Sequence, residues 1–125
     1  MALHINPGDE LPIYRQIVRQ IEDAIAVGKL GAGEKLLSHR ELAAQLVVAP
    51  LTVKKAYDEL EQRGLIETQR GRGTFVTATR PAAARDEART RLRDAARRLL
   101  TQARLMDVPL EDVIRLLGEL EEQES

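Results

Sequence analysis

A mainly α-helical fold with a small β wing is predicted for this 125-residue chain by three observations. Ser38 and Glu41 mark the start of a short helix, Pro50 opens another helix one tight turn later, and two β-branched runs flank Arg70-Gly71-Arg72-Gly73. That order is the layout of a winged helix-turn-helix at residues 10–78, with the helix-turn-helix at about 38–57 and the wing at 65–77. A linker at 79–86 and a two-helix dimerisation segment at 87–123 are expected to follow.

The first helix runs from Pro12, a first-turn residue, to the stop at Gly28, with Ile13, Ile17, Ile21, Ala24 and Ile25 on one face. Lys29 to Lys35 has the glycine density of a turn and leads into Leu36-Leu37. Ser38 and Glu41 then form a capping box, Leu37 and Leu42 stand at the positions of a hydrophobic staple, and the second helix buries Leu42, Ala43 and Leu46 before ending at Val47-Val48.

The third helix has the apolar stripe Val53, Ala56, Tyr57 and Leu60, leaving Leu51, Thr52, Lys54 and Lys55 outward or sideways near its start. Asp58, Glu59 and Glu61 crowd its other end, so a polyanion would attract the N-terminal half and repel the C-terminal half. Gly64 closes this helix. Leu65 to Thr68 and Thr74 to Thr77 read as paired strands, and Gly71 and Gly73 allow a sharp turn with Arg70 and Arg72 at its tip.

Beyond the linker two further helical patterns appear, Leu92, Ala96, Leu99 and Ala103 on one, and Leu110, Val113, Ile114, Leu117 and Leu120 on the next. Two such helices cannot cover each other's apolar stripes well, so these residues are expected to bury against the first domain or a second copy. Arg85, Arg89, Arg91, Arg93, Arg97 and Arg98 alternate with Asp86, Glu87 and Asp94, the pattern of a solvated helix face.

Composition narrows the function. Aromatic residues make up only 2% of the chain against 43% apolar, so the core must be aliphatic. No cysteine is present, which removes disulfides, thiolate metal sites and cysteine nucleophiles. No apolar run approaches the roughly 20 residues needed to span a bilayer, and a cytoplasmic protein without membrane contact is expected. His4 and His39 are far apart, and adjacent Ser38 and His39 cannot point together on a helix as a nucleophile and its base. No metal-ligand spacing occurs either, so neither enzyme activity nor a cofactor or metal is expected.

Net charge is −1, but its distribution is uneven: Val47 to Tyr57 and Thr68 to Arg80 carry basic residues and no acidic ones. Double-stranded DNA is therefore the expected partner, met by the third helix and the wing. Ser38 is foremost a cap that also lies within reach of a phosphate. Arg40, Lys54 and Lys55 are candidate contacts on the helices, and Arg70, Gly71, Arg72 and Gly73 in the wing.

Pro12-Ile13-Tyr14-Arg15-Gln16-Ile17, Gly28-Lys29-Leu30, Ser38-His39-Arg40-Glu41-Leu42-Ala43, Thr52-Val53-Lys54-Lys55-Ala56-Tyr57, Gly64-Leu65-Ile66 and Gly71-Arg72-Gly73-Thr74-Phe75-Val76 together resemble the GntR family of bacterial transcription regulators. The short two-helix tail resembles the YtrA-type subfamily, which Pro50 also suits. The resemblance implies a homodimeric repressor on a pseudo-palindromic operator, often of transporter genes. It places DNA contacts on Arg40, on Thr52, Lys54 and the backbone of Ala49, and on Arg70, Gly71 and Arg72.

Three departures from the family pattern stand out. Ala32-Gly33 replaces Pro-Gly, and Leu36-Leu37-Ser38 replaces Leu-Pro-Ser. Ala49 stands where a polar cap is usual, a loss of about 0.5–2 kcal/mol of helix stability. Ala49 and Leu51 reduce polarity where bases would be read, which is the argument for an alternative, a winged-helix protein–protein interaction module. About 45 residues follow the wing, too few to enclose alone a drug-sized pocket of roughly 300–1,000 Å³, and the sequence identifies no effector.

Overall fold

The computed structural model describes residues 2–78 and 82–124, and its backbone separates into two units, Met1–Ala84 and Arg85–Ser125. In the first, α1 (Ile13–Ala26) follows Pro12, which sits at the N-cap position, one residue before the first turn. Ile17, Val18 and Ile21 are fully buried, while Ile13, Ala24 and Ile25 pack at the edge of the core.

The domain begins before residue 10, because Leu3 and Ile5 pack against the same core and the backbone around them is bonded to α1. The buried Gln16 amide accepts from the Asn6 N–H at 2.8 Å and donates to the carbonyls of Asn6 and Leu11, both at 2.9 Å. One turn on, Gln20 repeats the arrangement with the N–H and carbonyl of His4 at 2.9 and 2.7 Å. Two side-chain amides thus satisfy backbone groups of a segment that pairs with no described strand.

The stretch read as a plain turn before the capped helix contains a strand, β1 (Lys35–Leu36). It pairs antiparallel with β3 (Gly73–Val76), Lys35 opposite Phe75 and Leu36 opposite Thr74. On its other edge β3 pairs with β2 (Ile66–Gln69), with Ile66 opposite Val76 and Gln69 opposite Gly73, giving the order β1-β3-β2. Without the expected proline, Gly33 still turns the chain at φ 80; its N–H donates to the Val76 carbonyl at 2.9 Å, and the Val76 N–H donates to that of Glu34 at 2.8 Å.

Between β1 and β2 lie α2 (His39–Leu46) and α3 (Pro50–Gln62). Leu42 and Ala43 of α2 and Val53, Ala56, Tyr57 and Leu60 of α3 are buried, so the aliphatic stripes meet as their spacing required. Each fully buried Leu or Ile contributes about 1.5–3 kcal/mol relative to exposure. The core is closed by Leu30, Leu36, Leu65, Ile66 and Val76.

In the second unit α4 (Ala82–Leu105) starts inside the stretch expected to be a linker, and residues 79–81 of that linker lie outside the described residues. The run of alanines from Ala82 to Ala84 carries the highest helix propensity and overrides the connector reading. A bend with Asp107 at φ 55, held by the Val108 N–H donating to the Ala103 carbonyl at 2.8 Å, leads to α5 (Leu110–Glu124). Ala103 and Val113 are buried, but Leu92, Leu110, Ile114, Leu117 and Leu120 are exposed, as is Ala96, while Leu99 is half-buried. No described helix is long and apolar enough to cross a membrane.

Candidate nucleic-acid interface

Helix α2 starts at the expected residue. The Ser38 hydroxyl accepts from the Glu41 N–H at 3.1 Å, and the Glu41 carboxylate accepts from the Ser38 N–H at 3.0 Å. The Ser38 backbone N–H, with its hydroxyl, holds the Glu41 carboxyl below the usual carboxylate range. Arg40, in the first turn, is exposed.

The turn between α2 and α3 passes through Val47, a β-branched residue in the left-handed region at φ 57, φ values there being rare for such side chains. Ala49 occupies the N-cap of α3 without any side-chain hydrogen bond, as an alanine must, and Pro50 at the first helical position removes one of the orphan N–H groups. The uncapped amide end is a ready place for an anionic oxygen.

Two sets of contacts set the tilt of α3. The Tyr57 hydroxyl donates to the Leu37 carbonyl at 2.7 Å, and burial pushes its phenol up to about 12. At the far end, Glu59 accepts from Arg15 at 2.9 Å and from Arg63 at 3.1 Å, and Arg63 also meets Glu22 at 2.9 Å. Arg63 is only 15% exposed, so this network couples α1 to α3 more firmly than a surface pair would. Glu61 accepts from the Thr68 N–H at 3.1 Å. Two of the three acids at the end of α3 therefore hold structure together, a role the charge pattern alone did not disclose.

The cations at the start of α3 are engaged within the chain. Lys54 pairs with Asp58 one turn on at 2.9 Å, both side chains remaining about half exposed. Lys55 is exposed, yet its ammonium lies over the Tyr14 ring of α1, 4.0 Å from the centroid. Thr52 is half-buried.

In the wing, Arg70, Gly71 and Arg72 are exposed, and the Arg72 N–H closes the turn on the Gln69 carbonyl at 2.9 Å. Gly71 adopts φ 76, where a side chain would be strained. Among the described residues no acid pairs with Arg40, Arg70 or Arg72. Gly73 adopts φ 123, and a Cβ there would stand 2.8 Å from Cε of Lys35, a flexible side-chain end that would have to shift. Lys35 of β1 thus lays its stem across the wing, a cation that sequence reasoning did not place there because the strand pairing that carries it is non-local.

A capped helix, a tight turn, an uncapped helix start and a glycine hairpin tipped with arginines that no described acid pairs make up a winged helix-turn-helix of the kind transcription regulators use. Residues 13–76 match the family model described as bacterial regulatory proteins, gntR family. This chain belongs to that family, and within it is YtrA-like. It is 36% identical over 118 residues, 94% of its own length and 91% of the other's, to the HTH-type transcriptional repressor YtrA of Bacillus subtilis (strain 168). Among solved structures, a transcriptional antiterminator from Listeria monocytogenes EGD-e superposes with a TM-score of 0.79 at 34% identity, covering 99% of this chain and 92% of that one. The AraR DNA-binding domain in complex with operator ORX1 superposes with a TM-score of 0.54 at 33% identity, covering 62% of this chain and 99% of that one. These likenesses support DNA binding and not the interaction-module alternative.

Proposed function

We propose that the protein is a homodimeric repressor that occupies a pseudo-palindromic operator, in the cytoplasm where operator DNA lies. The exposed wing tip carries this reading: Arg70 and Arg72 project from a glycine turn with no acid among the described residues paired to them, as a clamp on phosphates or a minor groove requires. Arg40, Thr52, Lys54 and the Ala49 backbone supply the major-groove side, with Ser38 and Lys55 beside them. Two copies would set their α3 helices about 34–36 Å apart, one helical turn of DNA. The dimer rests on the apolar side chains that the C-terminal helices leave exposed, Leu92, Leu110, Ile114, Leu117 and Leu120, with Ala96 and Leu99 on the same stripe; Ala103 and Val113 are already buried in the single chain and would back that face from behind. Repression is supported by the likeness to YtrA of Bacillus subtilis, a transcriptional repressor.

Selection of bound duplexes from a random DNA pool, at defined salt, tests the reading. A two-fold symmetric consensus is expected, with affinity falling in proportion to salt by a log–log slope of about −0.9 for each phosphate contact. A flat salt response or no enriched duplex would overturn it.

A further inference from the structure

Leu51 is 76% exposed, on a helix whose buried residues are all aliphatic or tyrosine and whose other exposed positions, apart from Pro50 and Gln62, are charged. It follows Pro50 at the second position of α3, about 200° around the helix from the buried Val53 at 3.6 residues per turn, so it stands at the outward pole of the helix start. Within its own unit no described residue covers it. The two cations that flank this pole are drawn elsewhere, Lys54 to Asp58 and Lys55 to the ring of Tyr14. The side chain most freely presented at the leading end of α3 is therefore apolar.

Resting on the DNA-binding reading above, we propose that Leu51 is a specificity-determining residue that selects thymine through its 5-methyl group. In a major groove the base edges offer donors, acceptors and one apolar feature, the thymine methyl. An isobutyl group has no hydrogen bond to give, so it cannot distinguish guanine from adenine or cytosine by polar contact, and it would desolvate their polar edges without compensation. Against thymine it buries methyl on methyl. Ala49, exposed at the N-cap with no side-chain hydrogen bond, leaves room for that approach by keeping the residue before Pro50 small.

Deoxyuridine provides the test, since it differs from thymidine only by that methyl. Duplexes of the selected consensus are made with deoxyuridine at one thymine position at a time, in both half-sites, and binding is measured by fluorescence anisotropy for the wild-type protein, Leu51→Ala and Leu51→Gln. Wild type should lose about fourfold per half-site at one position, the worth of one buried methyl, and both variants should show no loss there while keeping their response to salt. The substitutions replace an exposed side chain, and circular dichroism checks that the helices are retained. Indifference of the wild type to every deoxyuridine, an undiminished deoxyuridine penalty in both variants, or a consensus without thymine overturns the inference and leaves DNA binding standing. Failure to select any duplex overturns the DNA-binding reading itself.

Discussion

The hydroxyl of Tyr57 in α3 reaches the backbone carbonyl of Leu37, two residues before α2, at 2.7 Å. One phenol thus ties the recognition helix to the residue that precedes the cap of its neighbour, fixing the angle between the two. Tyr57→Phe removes one part-buried hydrogen bond and should cost about 0.5–1.5 kcal/mol. The same phenol predicts an alkaline signature. Its folded value is raised to about 12 from 10, so between those values the unfolded chain loses its proton first and stability falls as pH rises. Denaturant melts from pH 9 to pH 12 should show that fall in the wild type and a shallower one in Tyr57→Phe.

Asp58 holds Lys54 in an exposed i,i+4 pair and would itself face the phosphates that Lys54 approaches. Such a pair contributes about 0.3–0.5 kcal/mol to the helix, so its loss is tolerable. Asp58→Asn should tighten DNA binding several-fold at low salt, whereas Lys54→Ala should weaken it and make the salt slope shallower by about 0.9. Titrations of the selected duplex at three salt concentrations check both.

Val47 is 89% exposed at φ 57, in a conformation that costs an ordinary L-residue about 1–2 kcal/mol. Val47→Gly relieves that cost but adds roughly 0.5–1 kcal/mol of backbone entropy to be lost on folding. The net expectation is a small gain, seen as a rise of a few degrees in thermal melting. A fall would mean that the isopropyl group makes contacts worth more than its strain.

Ile114 is 60% exposed on the apolar stripe of α5. Ile114→Glu places a charge on the proposed dimer face and should convert dimer to monomer at micromolar concentration, measured by sedimentation equilibrium. Operator affinity should fall with it, because the half-sites are then bound one at a time.

Local signals in the sequence carried most of the fold. The Ser38–Glu41 box, the stop at Gly64 and the stripe of Val53, Ala56, Tyr57 and Leu60 each act within a turn or two, and each stands where it was expected. The N-terminal arm was not visible, because Gln16 and Gln20 look like ordinary polar helix residues until the chain they bind folds back over them. Strand β1 is only two residues long and exists through its pairing with β3. At the candidate interface the arginines of the wing were readable from the glycines around them. The cation contacts were less so: the Lys54–Asp58 spacing was there to be seen, but Lys55 over Tyr14 and Lys35 across Gly73 join distant segments.

Strand β1 meets β3 only after both α2 and α3 have been laid down between them. Closing so wide a loop costs more chain entropy than closing the β2–β3 hairpin. The arginine tip, by contrast, is held by the neighbouring β2–β3 pairing, which closes locally through the Arg72 N–H on the Gln69 carbonyl. Operator DNA, by holding that tip, should raise the melting temperature in proportion to the logarithm of its concentration.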